Sequence, residues 1–357
     1  MKIALVGPGF IALVHAQELA GMGREISVVA GTTEQKTRAF QKACHIPAYT
    51  LDFDRVLQDD IDIVHVCTPP ALHYDMVKKL LLAGKHVICE KPMCTSAAQA
   101  RELSKLAREK GVVAAVNFNV RYHEACRRFR KKIQAGELGR LMLLHGSYEQ
   151  EFHALPAEYS WRYRKEVAGP MRAATEIGSH WIDLARFLTG LEITSVSASF
   201  GRFTPERYVK DGVMYEEALP GSEKVTVDSD DAVVCAFRLA NGALGSLFLS
   251  EVTHGRSNDL SIEITGTQKT VSWNSENPYQ LRSAVKSGGT LCETNAFGGG
   301  FPNTFSDFFR EVYKEIDAGK PSRAPAYPTF LDGYRNAAVC EAICESASNG
   351  SAWTDVK

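Results

Sequence analysis

The sequence has no surplus of either charge. Its 41 lysines and arginines face 42 aspartates and glutamates, so no basic excess is left to neutralise a phosphate backbone, which argues against nucleic acid as a partner. Long apolar runs are missing too. None approaches the roughly 20 residues that a membrane helix needs. The nine cysteines form no C-x-x-C pair and have no histidine cluster beside them. That pattern argues against a zinc module, and the odd count against a complete disulfide framework. Cys340 and Cys344 stand four apart on a predicted helix and read as small buried residues. The scattered thiols fit a reduced state, and with a Met1 that leads straight into a strand the expected location is the cytoplasm. No metal site, repeat or low-complexity tract is expected.

What is present is a globular composition over 357 residues, 45% of them hydrophobic. That length predicts two domains, 1–120 and 121–357. In the first, strands over 2–6, 25–30, 61–66, 86–89 and 112–116 alternate with helices over 10–22, 33–44, 71–83 and 96–110. Continuous apolar strands between helices predict a doubly wound parallel sheet, an α/β Rossmann domain. After residue 120 the pattern changes to strands joined by turns such as Ala240-Asn241-Gly242. This predicts an α+β domain with an open, mostly antiparallel sheet. Helices are expected over 127–135, 174–188, 303–318 and 332–348, the last packing back towards the first domain. Gly298-Gly299-Gly300 reads as a flexible turn.

Three motifs carry chemistry. The first strand ends in Gly7-Pro8-Gly9-Phe10-Ile11-Ala12 and passes into a helix. Gly7 permits the tight turn, Gly9 lets backbone approach a pyrophosphate, and the helix N-terminus faces the anion. Glu90-Lys91-Pro92 follows the fourth of these strands, where ligands of open parallel sheets bind, and a lysine there can act as acid or base. Glu176 and His180, with Asp183, share one face if 174–188 is a continuous helix, and can hold a substrate hydroxyl between them.

Together these residues resemble the Gfo/Idh/MocA family of NAD(P)-dependent sugar and polyol oxidoreductases. The resemblance extends to Thr68-Pro69-Pro70 with His73, Asn119-Val120-Arg121-Tyr122, Gly178-Ser179-His180-Trp181-Ile182-Asp183, and Asp332-Gly333 before the final helix. It implies a catalytic group of Lys91, His180 and Glu176. It also implies a cofactor site of Gly7, Gly9, Phe10, Ile11, Thr32, Thr33, Lys36, Thr68, Pro69, His73, Glu90, Lys91 and Asn119. The implied substrate is a sugar, glycoside or cyclic polyol, met by Lys91, Arg121, Tyr122, Glu176 and His180. The family's usual aspartate four residues before the histidine is here Glu176, one methylene longer.

Trp161-Arg162 suits a sugar through ring stacking and forked hydrogen bonds; it equally suits a loop anchored on the core. No carboxylate ends the second strand, where NAD sites usually have one. The cofactor expectation is therefore NAD or NADP. Expected chemistry is interconversion of a ring secondary alcohol and a ketone, with glycoside 3-dehydrogenation as a narrower reading. A non-catalytic dinucleotide sensor and a redox-cycling glycosidase or lyase are the alternatives. The open sheet predicts a homo-oligomer built through its uncovered face.

Overall fold

Six short strands open the structure: β1 (Ile3–Val6), β2 (Ile26–Ala30), β3 (Ala48–Thr50), β4 (Ile63–Val66), β5 (His86–Cys89) and β6 (Ala114–Val116). They form one sheet in the order β3-β2-β1-β4-β5-β6, and every pairing is parallel. In this computed structural model residues 1–295 and 299–357 are described; Gly298, the first residue of the predicted glycine turn, lies outside the described residues. Every residue of β1 and β4 is buried, as strands covered on both faces must be. The sheet order reverses between β1 and β4, and ligand crevices form outside the strand ends at such a point. The sequence reading missed β3, an edge strand of three residues with no buried one.

The chain divides into two compact units, Met1–Asn119 with Phe301–Ala337, and Val120–Gly300 with Ala338–Lys357. This corrects the assignment of everything past residue 120 to a second domain. The helix Phe301–Asp317 belongs to the first unit because its apolar face consists of Phe305, Phe308, Phe309, Val312, Tyr313 and Ile316. Phe309 meets the rings of His15 and His65 edge-on at 4.8 and 5.2 Å. Phe330, the first residue of the final helix, lies in the first unit's core.

The second unit is built on a nine-stranded sheet. Its strands are β7 (Leu141–Glu149), β9 (Ile193–Gly201), β13 (Ala232–Leu239), β14 (Leu244–Ser250), β15 (Asp259–Gly266), β16 (Thr270–Asn274), β17 (Gln280–Ala284), β18 (Thr290–Thr294) and β19 (Thr354–Asp355). The order is β18-β17-β16-β15-β7-β14-β13-β9-β19. The β7–β14 pair is parallel and its neighbours are antiparallel, so the sheet is mixed and mostly antiparallel. Its core joins Leu144, Leu247, Leu249 and Ile262 of the strands to Phe129, Trp181, Ile182 and Ala185 of the helices. A second sheet, β8 (Ala157–Glu158), β10 (Glu206–Lys210), β11 (Val213–Tyr215) and β12 (Glu223–Thr226), was not visible in the sequence. Its strands are short, and its core holds only Ala157, Tyr163, Met214 and Val227 as buried residues. Among the described residues no helix is long and apolar enough to cross a membrane.

Candidate functional site

In the first unit the site is made mostly of backbone. Gly7 has φ +92°, and a Cβ there would come within 2.9 Å of the Cys67 carbonyl. Its N–H donates to the Ala30 carbonyl at 2.9 Å, tying the turn to β2. Gly9 differs: its backbone is extended and nothing lies within 4 Å of where a Cβ would point. It begins the helix Phe10–Gly21, whose end has no side-chain cap and no acidic residue in its first turn. An open glycine at an uncapped, uncharged helix N-terminus fits a pyrophosphate. Phe10 is exposed and Ile11 half-buried beside it, while Ala12 is buried. Beyond β2, Thr32, Thr33 and Lys36 are exposed, and the Tyr49 hydroxyl donates to Glu34 at 3.2 Å.

Thr68 and Pro69 leave β4 half-buried, and Lys91 leaves β5 half-buried before a cis Lys91–Pro92 bond. His73 joins the two turns: its ring nitrogens lie 2.7 Å from the Thr68 carbonyl and 3.0 Å from that of Pro92. The ring is fully buried behind these turns. Asn119 is buried as well and donates to the Thr304 hydroxyl at 2.7 Å. Glu90 is buried among His15 and Asn117.

In the second unit the site is made of side chains. The predicted continuous helix is two, Ala173–Glu176 and Gly178–Thr189, broken at Ile177 with φ −106°. A β-branched residue followed by glycine weakens the helix at that point. Asp230 caps the first piece from another segment, accepting from the N–H groups of Arg172 and Ala174 at 2.7 and 2.8 Å. Trp181 is fully buried and donates to the Ser261 carbonyl at 2.9 Å. From residue 173 to 186 every side chain is buried except those of Thr175, Glu176 and His180. His180 lies 6.4 Å from the Tyr148 ring. Asp183 is turned inward.

The inward partner of Asp183 is Arg121, in a two-pronged ion pair. Arg121 is buried and also sits 5.2 Å from the Phe187 ring. Tyr122 is buried under the Arg127 guanidinium, 4.7 Å from its ring. Both residues lie in the second unit's interior. Trp161 and Arg162 remain half-buried, the guanidinium lying 4.8 Å over the indole and bonded to Glu176.

Sequence reasoning missed the residues behind Glu176. His153 Nε2 lies 3.6 Å from Glu176 and 3.9 Å from Glu251, and its Nδ1 bonds the Tyr163 hydroxyl. Arg172 pairs with Glu251 at 2.9 Å and with Asp231, which Arg207 also meets at 2.7 Å. Burial holds His153 below its ordinary range against the pull of Glu176, and pushes the Tyr163 phenol up to about 12. Although His153, Glu176 and Glu251 stand close enough to share a cation, Arg162 and Arg172 already supply positive charge to the two carboxylates. Each residue comes from a different segment, so no local spacing announced them.

A parallel sheet with an open glycine turn at an uncapped helix defines a dinucleotide-binding protein, here with a half-buried carboxylate and imidazole on the broken helix of its other unit. Residues 1–118 match a family described as an oxidoreductase family with an NAD-binding Rossmann fold, and residues 126–272 match the GFO/IDH/MocA C-terminal domain. A levoglucosan dehydrogenase of Pseudarthrobacter phenanthrenivorans is 31% identical, covering 100% of this chain and 98% of that protein. An inositol 2-dehydrogenase of Rhizobium meliloti is 25% identical over 98% of this chain and 97% of its own. A solved levoglucosan dehydrogenase in complex with NADH and L-sorbose superposes with a TM-score of 0.92, at 30% identity, covering 100% of this chain and 99% of that one. The chain belongs to the Gfo/Idh/MocA family of oxidoreductases.

Proposed function

We propose that the protein is an NAD(P)-dependent dehydrogenase that interconverts a ring secondary alcohol and ketone of a sugar, glycoside or cyclic polyol. The observation that carries this reading is the broken helix of the second unit. Of its side chains through residue 186, only Thr175 and the carboxylate and imidazole of the motif reach solvent. Bound dinucleotide supplies the nicotinamide carbon that accepts the carbinol hydride. The chain's own groups manage the proton. His180 takes the hydroxyl proton, Lys91 orients the hydroxyl and stabilises the oxygen as negative charge develops, and Glu176 positions it. A pH–rate profile of each single variant separates this assignment from one with Lys91 and His180 exchanged.

Glu176 keeps the negative charge of the usual aspartate, and its longer arm is steadied by Arg162. Trp161, under the same guanidinium, supplies a face for sugar C–H bonds. A glycoside oxidised at its 3-position is the narrower substrate reading. For the coenzyme, the exposed Thr32, Thr33 and Lys36 suit a ribose phosphate as well as a hydroxyl, so both NAD and NADP belong in the assay. We place the protein in the cytoplasm, since eight of its nine free cysteines are buried or half-buried thiols. It forms a homo-oligomer through the open sheet face, where Val234 lies opposite Phe248 and Leu143 opposite Leu244, all four exposed. Light scattering that gives a monomer contradicts the oligomer.

The function is tested with NAD⁺ or NADP⁺ and a panel of levoglucosan, myo-inositol and glucosides blocked at single hydroxyls. Reduced nicotinamide and a product lighter by two hydrogens support the reading. Product without net reduced coenzyme converts it to a redox-cycling enzyme. Dinucleotide binding without product contradicts it.

A further inference from the structure

Beneath its first helix the parallel-sheet unit buries a row of polar side chains that the proton chemistry above does not use. The Tyr313 hydroxyl lies 2.9 Å from His65 Nε2. His65 Nδ1 lies 2.9 Å from His15 Nδ1, and His15 Nε2 lies 2.9 Å from Glu90 Oε1. Asn117 donates to the same carboxylate oxygen, while Glu90 Oε2 accepts the Lys91 backbone N–H at 3.3 Å. All of these side chains are buried except that of Lys91. Phe305 and Phe309 wall the row with rings 6.3 and 4.8 Å from His15. Cys67 lies 3.5 Å from His15, and the remaining ionisable groups that sense Glu90 are Cys89 and His73.

The donor at Glu90 can be assigned. A carboxylate only accepts, so the proton of His15 is on Nε2. Across the Nδ1–Nδ1 contact one of the two histidines donates and the other accepts. His65 Nε2 shares the next hydrogen bond with the Tyr313 hydroxyl. Burial and the neighbouring His15 hold His65 neutral. Burial alone would drive Glu90 to protonate; the His15 and Asn117 hydrogen bonds outweigh it and hold the carboxyl below its ordinary range. The donations from His15 Nε2 and Asn117 both end on Glu90.

We propose that His15, backed by His65 and Tyr313, is a positioning residue for Lys91: it locks the Glu90 carboxylate, which fixes the Lys91 backbone and keeps a negative charge within reach of its ammonium. The proposal rests on the reading that Lys91 serves the reaction. A buried carboxylate without such donors is costly and neutralises, so the row is what allows a charge to stand at the root of the lysine.

The test uses the full-length protein with whichever sugar or polyol of the panel turns over. His15→Leu keeps the bulk and removes the donor. It is expected to lower kcat about 10- to 100-fold, with the sugar KM and the NADH Kd within about threefold of wild type. His15→Gln, whose amide reaches the same oxygen, recovers kcat to within about fivefold of wild type. Tyr313→Phe lowers it about two- to threefold. On a Lys91→Met background His15→Leu adds nothing, because its effect runs through the lysine; a fully additive loss overturns the proposal. A folded His15→Leu with wild-type kcat also overturns it. Lys91→Met with wild-type kcat instead overturns the reading of the site. Independently of turnover, NMR of isotope-labelled histidine should show a proton on His15 Nε2, the nitrogen that faces Glu90. A His15 Nε2 without a proton overturns the proposal.

Discussion

The two units keep buried charge by different means. The parallel-sheet unit holds one carboxylate, Glu90, among two histidines, an asparagine and a tyrosine. The mixed-sheet unit holds three of its buried carboxylates by guanidinium groups: Asp183 by Arg121, and Asp231 and Glu251 by Arg172, with Arg207 also on Asp231. The difference matches what each unit offers a ligand. The first presents backbone at Gly7, Gly9 and a helix N-terminus, which needs a quiet, uncharged approach. The second presents side chains on a broken helix, and an ionic lattice behind them holds those side chains still. On the proposed reading, the coenzyme is met mostly by backbone and the substrate mostly by side chains.

The comparison breaks most readily at the chemistry. Lys91→Met and His180→Ala are each expected to lower kcat about 100- to 10,000-fold, with NADH binding close to wild type by nicotinamide fluorescence. Next comes the ionic lattice. Arg172→Met strands buried Glu251, leaves Asp231 with Arg207 alone and should cost about 3–5 kcal/mol by denaturant titration, whereas Arg162→Ala, at a half-buried position, should cost no more than about 1 kcal/mol and instead raise the sugar KM. If both variants lose equal stability, the distinction between supporting lattice and working surface fails.

Acid sharpens the contrast between buried imidazoles and water. Burial lowers His123 from 6.5 to about 4. The unfolded chain therefore binds a proton that the folded one refuses, and stability present above pH 6.5 is lost as pH falls towards 4. This one group should contribute a loss of about 3 kcal/mol across that window, and His123→Phe should flatten the pH dependence of the denaturation midpoint. The smallest effect on stability belongs to Gly9. Gly9→Ala should leave the melting temperature unchanged, because the space around it is empty and its backbone is extended, yet weaken dinucleotide binding about tenfold. Gly7→Ala, at φ +92° against the Cys67 carbonyl, should destabilise the fold before any ligand is added.

The same contrast explains what the sequence made legible. The glycine turn, the alternating strands and helices, and the turn after β5 are written in consecutive residues, because backbone geometry is local. The lattice is not. His153, Arg172, Asp231 and Glu251 stand on four segments, and nothing in the spacing of charged residues says which ones meet. Arg121 illustrates the cost: a guanidinium beside a tyrosine suits a sugar on paper, and only the fold shows its ion pair with Asp183. Likewise Phe301–Asp317 carries an apolar face that sequence detects, but the two histidine rings it covers lie more than two hundred residues earlier.

The most direct measurement of the central claim is the initial rate of nicotinamide reduction with levoglucosan and the panel sugars, for wild type and for Lys91→Met and His180→Ala, alongside NADH binding. The account predicts turnover by wild type, little by either variant, and equal binding by all three. Wild-type rates in both variants, or binding without turnover in the native protein, would contradict it.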